Sequence, residues 1–242
     1  MEAVRVIPFA TFNDFLLGVH RERAGSIIDQ RRFWYRGQAS SIWRLETTLD
    51  RFLLSRAIRD RTEASAMLER EFRRLAVGID VLPAVGGTAL ALLQRHHGLP
   101  SALLDWSMSP YVAAYFACAD MSAAETLAVW MLDTSTLSRL RGTVSMLAET
   151  IEAIDDVDLL AANPRAVEQQ AASLAIWDGG PLEGMVPAAL TRFEFPASER
   201  RSALERLDAV GINHRQLFRD LDSAAKTATD RIARHYASKE SP

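Results

Sequence analysis

The stretch SALLDWSMSPYVAAYFACA, residues 101–119, decides the reading of the fold. Residues 101–107 read as a short strand. Ser109-Pro110 then opens a helix, because proline lacks only an N–H that would go unbonded in a first turn. The apolar run PYVAAYFACA continues that helix. Upstream, RFWYRG (32–37) is an aromatic-rich strand signal that stops at a glycine. A helix begins near Thr88 and stops at Gly98-Leu99-Pro100. Downstream, LAVWML (127–132) is apolar and bounded by polar residues, as a buried strand is. LTRFEF (190–195) alternates and is strand-like.

Helical patterns fill the rest. Residues 11–20 place Phe12, Phe15, Leu16 and Val19 at helical spacing, with Thr11 or Asn13 as cap. Residues 54–77 predict one long helix with Met67, Leu68, Phe72 and Leu75 on a shared face, ended by Pro83, Gly86 and Gly87. Residues 134–164 read as irregular with helical pieces, and 165–178 fit helix or strand equally. A helix from Ser198 ends at Gly211, and Asn213 caps a last one through about Ala237, beyond which the chain frays. These elements predict an α+β fold: a single domain over 1–242, with a mixed or antiparallel β core and helices at both ends.

Composition narrows the function classes. The 242 residues are 48% hydrophobic and 24% charged, ordinary globular proportions that exclude a disordered or collagen-like chain. A net charge of −3 argues against a generally basic nucleic-acid binder. Cys118 is the single cysteine, so neither an internal disulfide nor a thiolate-rich metal site is expected. The N-terminal MEAVRVIPFATF lacks the pattern of a signal peptide, and no apolar run reaches the roughly 20 residues that cross a bilayer. A cytoplasmic location without membrane contact is the expectation.

Two motifs go beyond generic globularity. One is Trp34-Tyr35-Arg36-Gly37-Gln38 with Trp43-Arg44-Leu45. The other runs from Leu93-Gln94-Arg95-His96-His97-Gly98-Leu99-Pro100 through Leu103-Leu104-Asp105-Trp106-Ser107 to Pro110 and Ala113-Ala114-Tyr115-Phe116-Ala117. Together they resemble the FRG domain, a bacterial and phage family named for a Phe-Arg-Gly signature. With Leu204, Leu207, Gly211-Ile212-Asn213, Leu217-Phe218 and Leu221, the resemblance spans about residues 10–225. Tyr35 replaces the family's Phe, and Ser101-Ala102 stand where Thr and Arg are usual. Glu168-Gln169-Gln170-Ala171 resembles a third, Gln-containing motif.

The order of motifs also resembles that of ADP-ribosyltransferases: an Arg or His at the end of an early strand, a Ser/Thr strand leading into an A-x-x-F-A helix, then an acidic or Gln-containing strand. That resemblance implies a split sheet and NAD as substrate, with ADP-ribose passed to a macromolecular acceptor, protein or nucleic acid. The setting it implies is a toxin or phage-defence effector with a possible antitoxin or inhibitor. The implied catalytic set is Arg36, Ser107, Glu168, Gln169 and Glu194, with Glu168 and Glu194 unranked. The nucleotide would meet Tyr35, Arg36, Gly37, Gln38, His96, His97, Asp105, Trp106 and Ser107.

The chemistry fits these residue types. A guanidinium fork donates several hydrogen bonds to pyrophosphate or ribose hydroxyls. A carboxylate can bind a ribose hydroxyl and stabilise positive charge at the anomeric carbon. Trp34, Tyr35 and Trp106 can stack on nicotinamide or adenine. Plainer readings stand beside these: Arg36 as an ion-pair partner, the aromatics as core, Asp105 and Ser107 as helix caps, Cys118 as inert core. The alternatives in function are a non-catalytic nucleotide-sensing module and an unrelated hydrolase, with His97, Asp105 and Ser107 close in sequence. Adjacent helical His96 and His97 point about 100° apart, so no metal is expected.

Overall fold

A computed structural model describes residues 3–23, 32–78, 88–155 and 164–239. The strands are β1 (Arg5–Pro8), β2 (Phe33–Gln38), β3 (Leu103–Ser107), β4 (Thr126–Asp133), β5 (Ile151–Ile154), β6 (Ala171–Ile176) and β7 (Leu190–Pro196). The helices before β5 are α1 (Phe12–Glu22), α2 (Thr48–Ser55), α3 (Arg61–Ala76), α4 (Thr88–His96), α5 (Pro110–Ala119), α6 (Thr134–Thr143) and α7 (Ser145–Thr150). Those after it are α8 (Pro164–Glu168), α9 (Leu182–Met185), α10 (Arg200–Ala209), α11 (His214–Phe218) and α12 (Leu221–Lys239). The fold is mixed α+β. No helix among the described residues is long and apolar enough to cross a membrane.

One seven-stranded sheet runs in the order β1-β7-β4-β2-β3-β6-β5. Only the β1–β7 pair is parallel; the other pairs are antiparallel. The sheet has one weak seam. β2 pairs with β4 from Phe33 to Gln38, and β3 pairs with β6 from Leu103 to Ser107, but β2 meets β3 at Tyr35↔Ser107 alone. The sheet is therefore split into β1-β7-β4-β2 and β3-β6-β5.

Packing differs on the two faces. On one, a single core bridges the seam: Trp34, Trp130 and Leu132 from one half meet Leu104, Trp106 and Leu174 from the other, with Leu137 of α6 and Leu182 of α9 above them. Burial of large aromatic and aliphatic side chains contributes roughly 1.5–3 kcal/mol each, which compensates for the missing ladder bonds. On the other face the described residues form two separate clusters. Phe12, Phe15, Val129, Phe193 and Phe195 pack with α5 over the first half. Leu103, Ala175 and Ile154 form a separate cluster against α4 over the second.

Helix α5 lies on β2 because both surfaces are small. Ala113, Ala114 and Ala117 are fully buried, and a Cβ on Gly37 would overlap the Ala113 carbonyl and crowd the Ala117 nitrogen. Ser109 caps the helix by accepting from the Val112 N–H at 3.4 Å, and Pro110 occupies the first turn. That cap is Ser109 rather than Asp105 or Ser107.

Several expectations change. The helix predicted over 54–77 is two, α2 and α3, broken where Ala57 takes a positive φ of 54°. A capping box between Thr47 and Asp50 starts α2, and Asp60 caps α3. Met67 and Leu75 of α3 are exposed rather than on a buried face. Pro83, Gly86 and Gly87 lie outside the described residues. Asn213 does cap a helix, accepting from the Gln216 N–H at 3.0 Å, but that helix is only α11. Arg219, at φ 57°, ends it before α12 begins. The ambiguous 165–178 is both things in turn, helix α8 and then strand β6. Strands β1 and β5 were absent from the sequence reading.

Gly37→Ala should cost about 3 kcal/mol or more in urea unfolding, because the clash is with helix backbone rather than a mobile side chain. Gly142→Ala, in α6 with nothing near its missing Cβ, should instead add about 0.5–1 kcal/mol. Burial raises the Cys118 thiol to about 12, with Arg200 opposing. At pH 8 the native thiol should thus stay silent toward Ellman's reagent and react fully once denatured, the reactive species being the thiolate.

Candidate functional site

Beyond Tyr35↔Ser107 the strands β2 and β3 part, and a strand carbonyl that loses its ladder partner must find another donor. Arg36 supplies it. Its register opposite Trp130 starts the side chain on the tryptophan face, yet the guanidinium turns into the seam and Nη1 donates to the Asp105 carbonyl at 2.5 Å. Its Nε is buried without an acceptor. Burial pulls the guanidinium down to about 10, Asp105 opposing and Arg95 and Arg51 adding to the fall.

Strand alternation puts the Asp105 side chain on the same face as Leu103. There Arg95 of α4 donates to Asp105 Oδ2 at 2.6 Å, and the Asp105 side chain is 46% exposed, so solvent reaches this point. The neighbouring His96 is held below the usual histidine range, first by burial and then by Arg165 and His97, with Asp105 opposing. The His96 and His97 rings meet edge to face at 5.1 Å. Among the described residues no group of three or more His, Cys, Asp or Glu could hold a metal ion.

Ser107 stands one strand position from Arg36 and ties β3 to the turn before β6. Its hydroxyl donates to the Gln169 carbonyl at 2.7 Å and accepts from the Ser109 N–H at 3.0 Å. The hydroxyl proton is thus given to a main-chain carbonyl and not to a histidine, which removes the Ser-His-Asp arrangement in this conformation. Met108 N–H donates to the Gln170 carbonyl at 2.8 Å, and Gln170 itself holds a positive φ of 46°.

The same turn is clasped from its far side by the C-terminal helices. Glu168 accepts from Gln216 Nε2 at 2.6 Å and from Arg219 Nη1 at 2.6 Å. Gln169 Nε2 donates to the Leu217 carbonyl at 3.2 Å, and Arg165 pairs with Asp220 at 2.9 Å. The end of α8 and the start of β6 are thus fixed by α11 and the α11–α12 junction.

The structure therefore brings together Arg36, Asp105, Ser107, Glu168 and Gln169, with His96 beside them. It separates Glu194, which lies on β7 beyond β4 and pairs with Arg192 at 2.8 Å. Four residues expected at the ligand are interior. Tyr35 is fully buried in the α5 core, and burial raises its hydroxyl well above the usual range. Trp106, like Trp34, is buried in the core that bridges the seam, with no open face for stacking. Gln38 accepts from Trp130 Nε1 at 2.7 Å and donates to the Arg44 carbonyl at 3.1 Å. Gly37 is filled against by α5.

Arg95, Arg51, Arg165 and Arg219 were missed by sequence reasoning. Arg95 alone had a visible signal, being inside the Gln94–Pro100 motif. The other three depend on contacts between distant segments.

No curated protein and no solved structure matches the chain. A family model does: that of the FRG domain matches residues 31–126, from just before β2 to the start of β4. The match takes in both sequence signatures and supplies Arg36, Arg95, Asp105 and Ser107, so the chain carries an FRG domain, built around the seam between β2 and β3.

Proposed function

We propose that the protein is an ADP-ribosyltransferase-like enzyme that cleaves the nicotinamide–ribose bond of NAD. The observation that carries this reading is the adjacency of three strands. The Arg strand β2, the Ser strand β3 leading into α5, and β6 behind its Glu168-Gln169-Gln170 turn are consecutive neighbours around the seam. That is the order of motifs expected for such an enzyme, folded onto one place. In the reaction the C–N bond breaks and nicotinamide leaves with the electron pair, neutral. The anomeric carbon then bonds to an oxygen or nitrogen of the acceptor, which loses a proton.

Arg36 would hold the phosphates or a ribose hydroxyl with the donors that Asp105 leaves free. Glu168, fixed by Gln216 and Arg219, is the carboxylate on the other side of the seam and would steady positive charge at the anomeric carbon. Glu194 takes no part in this reading, given its place on β7. The acceptor is a protein side chain, a nucleic-acid base or water.

A ligand-sensing reading has one observation in its favour: the Ser107 hydroxyl and both Glu168 carboxylate oxygens are already bonded within the protein. The two readings differ in product. NAD incubated with the protein and cell lysate should release nicotinamide and label an acceptor. Thermal stabilisation by NAD with no nicotinamide released would instead establish the sensor.

Two variants test the roles. Arg36→Lys keeps the charge but loses the planar fork, and should lower nicotinamide release at least 100-fold while circular dichroism stays native. Arg219→Ala removes a mostly exposed partner of Glu168 and should cost no more than about 1 kcal/mol of stability. It should lower kcat with little change in KM, and quicken amide hydrogen exchange across residues 168–171.

A further inference from the structure

We infer that Arg36 and Arg95, which both bond to Asp105 at the seam, form with the nearby Arg51 a subsite for a phosphoryl or pyrophosphoryl group, with Asp105 as its internal placeholder. The inference concerns the site of the proposed transferase and rests on that reading for the dinucleotide nature of the ligand. Anion binding itself is read without turnover, so the two can fail separately.

Charge is the first argument. Arg36 and Arg95 both bond to Asp105, one at the main-chain carbonyl and one at the carboxylate. Of the charged groups that act on Arg36, one carboxylate stands against two further guanidiniums, Arg95 and Arg51. Like charges gathered at low exposure repel, and a single partly solvated carboxylate does not neutralise them.

Hydrogen-bond capacity is the second. Nε of Arg36 and Nε of Arg95 are both buried with no acceptor. Guanidinium N–H groups left unbonded in the interior are costly, and a group with several anionic oxygens satisfies more than one of them at once. Arg51 spends Nη1 on the Glu46 carbonyl, a neutral acceptor, and no carboxylate among the described residues forms an ion pair with it.

Access is the third. Asp105 is the more exposed member of its pair with Arg95, and among the described residues it lies between the separate clusters under α5 and α4. An anion can therefore approach Arg95 by displacing the carboxylate outward, while Arg36 keeps its bond to the main chain. On this account Asp105 holds the guanidiniums in the free protein and competes with the ligand.

The experiment is calorimetric and thermal titration of the full chain with inorganic pyrophosphate, ADP-ribose and adenosine, at low and high salt. Pyrophosphate and ADP-ribose should each raise Tm and adenosine should not; ADP-ribose binding with pyrophosphate inert would overturn the subsite. Arg95→Ala and Arg51→Ala should each weaken pyrophosphate binding tenfold or more. Arg231→Ala, which removes one positive charge far along the chain, should bind as the wild type does; equal weakening there would mean diffuse attraction only and overturn the inference. Asp105→Asn should lower Tm without ligand yet bind pyrophosphate several-fold more tightly. Unchanged or weaker binding by Asp105→Asn would contradict the placeholder role, and should that variant not fold, the Arg95 and Arg51 variants decide. Nicotinamide release by a protein indifferent to pyrophosphate would sink the subsite and leave the transferase standing. Pyrophosphate binding without nicotinamide release would do the reverse.

Discussion

The bond from Arg36 to the Asp105 carbonyl is the constraint from which the site follows. A sheet joined by one residue pair exposes backbone groups on both sides of the gap, and these need partners as any buried amide does. A side chain that supplies a donor there is committed to the seam, so its remaining donors face whatever enters. A guanidinium can do both because it carries five N–H groups in a fixed plane. A lysine in its place would either bond the carbonyl or meet the ligand. The bridging core of Trp34, Trp106 and Trp130 makes the arrangement affordable in stability, since it holds the halves together on one face.

The second half of the site comes from far along the chain. Arg36, Arg95, Asp105 and Ser107 lie inside the matched family segment, whereas Glu168 and Gln169 lie beyond it and are held by α11 and the residues after it. Ser107 joins the two parts through the Gln169 carbonyl. Its hydroxyl thus sets the distance between the β3 edge and the Glu168 turn, a positioning task that threonine could share and alanine could not. The positive φ of Gln170 belongs to the same turn, and backbone held in a sparsely populated region persists where surroundings over-determine it.

Much of this was legible in the sequence, and the parts that were not have physical reasons. Strands β2, β3, β4 and β7 and helices α1, α4 and α5 announce themselves by local pattern, because each buries a continuous apolar face. The break between α2 and α3 does not, since it is set by Arg61, which pairs with Asp50 and donates to the Trp177 and Ile176 carbonyls from a distant segment. Arg36 was legible because glycine and aromatics flank it. The aromatics carried two readings, stacking surface and core, and burial decides for the core: a tryptophan beside a site looks the same in sequence whether it lines the ligand or holds the sheet behind it. Glu168 and Glu194 could not be ranked, because what separates them is strand order. β6 adjoins β3, while β7 lies across β4.

Strand order also separates the charges in a way that suits the proposed chemistry. The guanidiniums of Arg36, Arg95 and Arg51 belong to β2, α4 and α2, while Glu168 ends α8, just before β6. A dinucleotide asks for this segregation: cations at its phosphates, and a carboxylate near the anomeric carbon as the C–N bond lengthens and positive charge grows there. Were Glu168 placed against Arg36, the two would neutralise each other and neither would be available to the ligand. Arg219, the more exposed partner, engages Glu168 from the solvent side, whereas Arg95 engages Asp105 from the less exposed side. In the free protein Glu168 is thus held by Arg219 and Arg95 by Asp105 of β3, and on the proposed account binding exchanges these partners while Arg36 keeps its bond to the main chain.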